Sequence, residues 1–341
     1  MTAAESARPG ADGTKDLSVL FPVSPTEPGA VLDFARLVGS SGARRLWLGQ
    51  SLTLEPHQVM AYAAGAGVRV AVGTSVTLAP LRHPYEAALQ ARSVAAMTGQ
   101  PYVAGYGAGA PVFQSALRGG PYASPRTAMR EYLSVVRALL AGERVRFGGD
   151  YYSLHAGLVG MEHPPVEVGA GVLRPAMART VGGVADVAIT WMTPPGYVEK
   201  TLLPALAEGA EQAGRETVPR VAAVVHVAVE REDRDPGRLA LLAASAHLSA
   251  PHYTDMLRRA GVPVDPADPA AGARMLVDSG VFVTGTPARI AEALVEYHRA
   301  GVDEIVLNAA GVLFGEGHVA ALTDLGTVLA EWRRRGGFGG E

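Results

Sequence analysis

Six short segments gather the residues that could hold a reacting group: Gly49-Gln50-Ser51, Gly73-Thr74-Ser75-Val76, Tyr106-Gly107-Ala108-Gly109, Gly169-Ala170-Gly171, Thr190-Trp191-Met192 and Asn308-Ala309-Ala310. Each closes a short apolar run, and small side chains dominate. The exceptions are single Gln, Tyr, Trp and Asn residues; no Asp, Glu, Lys or His is read at these ends. Such a set is poor at general acid–base work, which needs a titrating group within hydrogen-bond reach. It suits a flat ring lying against backbone, the profile of an enzyme whose cofactor carries the chemistry.

The other chemistries are excluded by what the sequence lacks. Cysteine is absent, which removes disulfides, Cys-zinc sites and thiolate nucleophiles. The nine histidines are scattered with no HExxH pair, so no metal site is expected. No GxxxxGK[ST] loop and no GxSxG elbow occurs. GYGAGA breaks the dinucleotide spacing, and a long loop is expected after Pro111 rather than a helix. Lone serines such as Ser51 and Ser75 read as hydrogen-bonding or capping groups before they read as nucleophiles. A formal charge of −3 leaves no basic excess for nucleic acid. No apolar run is long enough for a membrane span and no secretory leader is read, so the expectation is a cytoplasmic protein with neither a membrane nor a nucleic-acid partner.

The elements that must position these segments alternate. Strand-like runs are read at 17–21, 45–49, 68–76, 101–107, 165–171, 186–190, 221–230 and 304–311, with amphipathic segments between them. Near-continuous apolar strands need cover on both faces, which favours a parallel sheet with helices outside. Eight such units over about 300 residues suit a closed (β/α)8 TIM barrel; an open doubly wound sheet is the alternative that periodicity leaves. Two stretches break the alternation: a hairpin around Gly148-Gly149 (143–157) and an insertion over 231–285. One domain is expected over 16–335, with flexible tails at 1–15 and 336–341.

LWLGQS (46–51), VAVGTSVTLAPLRHPYEAALQ (70–90), AMREYLSVVRALLAGERVRFGGDYY (128–152), PPVEVGAG (164–171) and GTPARIAEALVEYHRAGVDEIVL (285–307) together resemble the bacterial luciferase-like oxidoreductases. LWLGQS, RHP and MREYL resemble the branch that uses the deazaflavin coenzyme F420. The resemblance implies a luciferase-like (β/α)8 barrel, a homodimer, and F420 as cofactor with FMN as the alternative. By position it assigns cofactor binding to Ser51, Thr74, Ser75, Val76, Gly107, Gly109, Ala170, Gly171, Val172, Arg174 and Thr190. It also implies a non-prolyl cis peptide at Ser75–Val76, and phosphate contact near the helix that follows Gly171, with Arg174 and Arg179 as anchors. Trp191 and Phe113 fall on the substrate side, and Tyr106 or Gln50 would orient or protonate the acceptor.

The departures point to a direction of reaction. Alcohol and sugar-phosphate dehydrogenases of that branch carry an acidic residue and His after strand two and Glu and Asn after strand four. This chain has Gln50-Ser51, and Ala110 and Phe113. Alcohol oxidation needs a base for the hydroxyl proton; donation of hydride to an activated C=C or C=N bond does not. The expectation is a reductase using reduced F420 on a small-molecule or peptide substrate, a dehydroamino acid in a peptide natural product being one such acceptor. A monooxygenase using reduced FMN, and a non-catalytic partner subunit of the same fold, stay open.

Overall fold

The computed structural model describes residues 16–337. The tail expected at 1–15, and 338–341 of that expected at the other end, lie outside the described residues. The strands are β1 (Asp16–Phe21), β2 (Leu46–Leu48), β3 (Val72–Thr74), β4 (Thr77–Leu78), β5 (Tyr102–Gly107), β6 (Val145–Gly148), β7 (Ser153–Ala156), β8 (Val166–Gly171), β9 (Val187–Trp191), β10 (Arg220–Val229), β11 (Phe282–Gly285) and β12 (Glu304–Asn308). Eight of them close a parallel barrel in the order β1-β2-β3-β5-β8-β9-β10-β12, with β12 pairing back onto β1. These are the eight runs read from the sequence, and closure removes the open-sheet alternative.

The first helices around the barrel are α1 (Leu32–Ser41), α2 (Pro56–Gly65), α3 (Pro84–Thr98), α4 (Pro111–Arg118) and α5 (Pro125–Leu140). After β8 and β9 come α6 (Pro175–Val184), α7 (Pro195–Tyr197) and α8 (Leu203–Gln212). The insertion after β10 carries α9 (Pro236–Leu248), α10 (Pro251–Arg259) and α11 (Pro269–Asp278), and α12 (Pro287–Arg299), α13 (Ala310–Glu316) and α14 (His318–Arg334) complete the shell. Most begin with proline in the first turn, where its fixed φ is already helical and its missing N–H has no partner to lose. Ser124 and Thr286 cap as expected, each accepting the amide three residues on (Thr127 and Arg289).

Three local readings change. The run read at 68–76 is a strand only over Val72–Thr74, because the chain turns at a cis Ser75–Val76 peptide and resumes as β4 against β5. The loop expected after Pro111 is helix α4, stopped at Gly119 (φ +75°). It escaped notice because its apolar side, with Val112 83% exposed, faces outward while Gln114 is the residue it buries. β11 was not read at all; it adds to β10 beyond the barrel wall, from His226↔Phe282 to Val229↔Gly285. The hairpin is β6–β7, and Glu131 holds its turn by accepting the amides of Asp150, Tyr151 and Tyr152.

Side chains alternate along each barrel strand between the lumen and the helical shell. Leu20, Trp47, Val103, Val187, Ile189, Ala222, Val224 and Val306 fill the lumen, with Val76 and Trp191 packed on that cluster. At the N-terminal ends the lumen is closed by charge. Fully buried Glu304 accepts from Ser18 (2.6 Å), Arg45 (2.9 Å) and the Trp47 indole (2.8 Å). Arg220 lies 3.7 Å from its other oxygen and also pairs with Glu167 at 2.7 Å. Burial alone would raise the Glu304 pKa; the Arg45, Ser18, Arg220 and Trp47 contacts outweigh it and hold the carboxyl below its usual range.

Candidate active site

The opposite end of the lumen, where the strands finish, is lined by Ser75, Val76, Gly107, Gly171 and Trp191. Val76 forms its floor. A Cβ on Gly107 would stand 2.7 Å from Val76 Cγ2, closer than carbon atoms pack, and one on Gly171 would meet Val76 Cγ1 at 3.7 Å. Glycine at 107 is what lets the Val76 side chain sit against β5. Trp191 faces the same space, and Met192 after it adopts φ +55°, a left-handed conformation uncommon for a residue with a Cβ. Gly109 (φ +74°) bends the chain after β5, and Phe113, half-buried on α4, lies against it, so that a Cβ on Gly109 would meet the ring at 3.7 Å.

The other expected site residues take different places. Tyr106 is fully buried on the shell face of β5, its ring 5.2 Å from Tyr132 and its hydroxyl donating to Ala87 O of α3 at 3.3 Å. Burial raises its pKa well above the ordinary value. It cannot reach an acceptor at the mouth, so its expected catalytic role falls. Thr74 also points outward: its hydroxyl accepts from Gly105 N (2.9 Å) and donates to Gly105 O (3.0 Å), tying β3 to β5 where their ladder ends. Ala170, Val172 and Thr190 are buried toward the shell, the Thr190 hydroxyl on that of Thr193. None of these side chains is free to hold a cofactor.

Gln50 and Ser51 act on backbone. The Gln50 amide donates to Ser51 O (2.7 Å) and accepts from Leu78 N (3.2 Å), fixing the end of β2 to β4, which removes it as a catalytic group. The Ser51 hydroxyl holds its own turn through Thr53 N at 3.0 Å. Arg174 stands directly before α6, half-exposed, with its guanidinium 3.5 Å from Asp255 of α10. It is free enough to meet an anion at that helix N-terminus. Arg179 is committed to Glu208 of α8.

Sequence reasoning missed the histidines of the mouth. His226 lies on β10 opposite Asn308, the last residue of β12, and two residues beyond the partner of Trp191. It shares the inward face of Ala222 and Val224, is 1% exposed, and neither ring nitrogen has a partner. Its ring stacks on Phe282 (6.0 Å, 12°) and meets Trp191 edge-on at 5.8 Å. From α9, His247 stacks on the other side of the site against Trp191 (5.3 Å, 23°), with Tyr253 of α10 edge-on to it at 4.7 Å. Burial lowers the His226 pKa to about 3 and that of His247 to about 4, so both are neutral at pH 7. The signal was the lone His in an apolar strand; it read as mid-strand because β10 runs ten residues, past the ends of its neighbours.

The buried mouth therefore presents unpartnered polar atoms of one kind, all uncharged: Ser75 Oγ, Trp191 Nε1, both nitrogens of His226 and Nδ1 of His247. A planar, hydrogen-bonding heterocycle fits this set, lying on Val76 and passing Gly107 and Gly171. Among the described residues no group of three His, Cys, Asp or Glu side chains could hold a metal ion.

A model of the luciferase-like monooxygenase family matches residues 7–304. An F420-dependent glucose-6-phosphate dehydrogenase of Nakamurella multipartita is 35% identical over 153 residues, 43% of this chain and 45% of that protein, so the chain matches less than half of that relative's length. Another, of Kineococcus radiotolerans, is 28% identical over 314 residues, 83% of this chain and 88% of that protein. The structure of the coenzyme F420-dependent tetrahydromethanopterin reductase of Methanopyrus kandleri superposes with a TM-score of 0.71 at 19% identity, covering 93% of this chain and 97% of that one, which shows the fold. With a family match over most of its length and the barrel that goes with it, the chain belongs to the luciferase-like monooxygenase family.

Proposed function

We propose that this chain is an F420-dependent reductase whose acceptor is an uncharged, activated C=C or C=N bond. The observation that carries the reading is the mouth itself: a floor of Val76 against glycine strands, ringed by neutral polar groups. The dependence of its relatives on F420 supports the cofactor. When bound, F420 supplies the hydride; the chain's residues bind, orient and exclude water. Val76 would back the ring, the backbone at Gly107 and Gly171 would flank it, and Arg174 with the α6 N-terminus would meet its phosphate.

A sugar phosphate fits this chain poorly. Of its two lysines, Lys200 lies in the helical segment Val198–Leu202 rather than at a strand end, and Arg82 near the mouth is paired with Glu55 at 3.3 Å. Oxidation of an alcohol also lacks its base, because a buried imidazole with a pKa of about 3 takes a hydroxyl proton weakly. We place a dehydroamino acid within a peptide among the acceptors, and a homodimer in the cytoplasm as the working form. The test is fluorescence titration with F420 and separately with FMN, followed by oxidation of reduced F420 in the presence of a dehydroalanine peptide or an imine. Tight F420 binding with acceptor-dependent oxidation is expected. Preference for FMN with oxygen uptake, or reduction of oxidised F420 by glucose 6-phosphate, would overturn the proposal.

A further inference from the structure

We infer that His226 binds the carbonyl oxygen of the acceptor, and that the reducible bond is therefore a C=C conjugated to a carbonyl. This rests on the reductase reading and narrows its substrate class. The geometry begins with a side chain that folding has isolated. His226 is buried at the finish of the lumen with both nitrogens unpartnered, and a buried polar group left so is destabilising. Its ring is packed between Phe282, parallel to one face, and Trp191, which stands edge-on. Neither neighbour offers it an acceptor. Trp191 Nε1, a donor with no acceptor, borders the same space. Buried side chains packed in this way and not satisfied within the fold offer their polar atoms to a ligand.

The chemistry of that ligand follows from the donors. A neutral imidazole gives one N–H and one acceptor nitrogen, and the indole gives a second N–H. Two uncharged donors suit a carbonyl oxygen better than a carboxylate or phosphate, which call for charged donors. When hydride adds to the β-carbon, the C=C π bond breaks, a C–H bond forms and the electron pair moves onto the carbonyl oxygen. A hydrogen bond from His226 stabilises that enolate, and water then delivers a proton to the α-carbon. The substrate gains two electrons and two hydrogens; reduced F420 loses the hydride. A donor fixed on a developing oxyanion contributes about 10²–10³-fold in rate.

The test separates this inference from the reductase reading. With 15N-histidine-labelled protein, adding N-acetyldehydroalanine amide is expected to shift ring signals that vanish in His226→Phe. Unshifted His226 signals would overturn the inference whatever the enzyme's activity; shifted signals without any oxidation of reduced F420 would uphold the carbonyl site and overturn the reductase reading. In turnover, His226→Phe is expected to lower kcat on the unsaturated amide about 100-fold and to lower it much less on an imine, with His226→Gln recovering part of the loss on the amide. Equal losses on amide and imine would refute it.

Discussion

Replacing Glu304 by Gln tests whether charge at the base of the lumen, rather than hydrogen bonding there, holds the barrel closed. The Gln oxygen still accepts from Ser18 and Trp47, so the change isolates the ionic part. Arg220 keeps Glu167. Arg45, 2% exposed, loses its carboxylate and becomes an uncompensated buried charge. Breaking a buried pair in this way costs about 3–5 kcal/mol. With an unfolding entropy of roughly 2.1 cal/mol/K per residue, the 341 residues give about 0.7 kcal/mol/K, so Tm is expected to fall by about 4–7 °C at pH 7. Calorimetry at several pH values reads both size and sign. The folded Glu304 pKa is depressed, so its contribution is complete above the unfolded value of about 4.3 and is lost as pH falls through the lower folded value. The gap between wild type and variant is expected to close on acidification. A shift under about 1 °C at pH 7, or a gap that widens in acid, would refute the reasoning; adding Arg45→Met to the variant should recover much of the loss.

Three further outcomes follow from the mouth and its walls. Gly107→Ala puts a methyl 2.7 Å from Val76 Cγ2, so F420 affinity is expected to weaken tenfold or more while the fold survives a packing loss of about 1–3 kcal/mol; fluorescence titration measures it. Tyr106→Phe removes only the hydrogen bond to Ala87 O, and steady-state kinetics should show kcat within twofold of wild type with stability lower by about 1 kcal/mol. Arg174→Ala should raise the F420 Kd clearly and leave the melting curve unchanged, and an unaltered Kd would remove it from the phosphate site.

The barrel was legible because its eight strands are apolar runs separated by helices that proline and capping residues announce. Which face each strand-end residue takes was less so, although the information was present. Tyr102, Ala104 and Tyr106 share one face of β5, while Val103, Gly105 and Gly107 share the other. A strict period of two would have sent Tyr106 to the shell and kept Gly107 at the mouth. Trp191 follows the same rule on β9, sharing the lumen face with Val187 and Ile189. His226 was hidden for a different reason: strand length alone does not reveal where neighbouring strands stop, and register puts it level with Asn308. Its partner His247 comes from α9, in a segment whose periodicity gives no sign of folding back over Trp191.

Barrel closure also sets a timetable for the newborn chain. β1 is made well before one of its two neighbours, β12, which it meets in the register Asp16↔Glu304. At about 5–20 residues per second, the chain from Asp16 to Glu304 takes about 15–60 s to emerge. During that interval β1 has an open edge and Arg45 waits for its carboxylate, so the barrel closes only once β12 has been made. The strand that carries His226 is finished late as well. Val229 N is held by the Asp324 carboxylate of α14, at 2.9 Å, which also pairs with Arg231. A chain cut short before residue 304 would carry Val76, Gly107, Gly171, Trp191 and His226 with no closed wall to hold them, a ready client for a chaperone that covers unpaired strands.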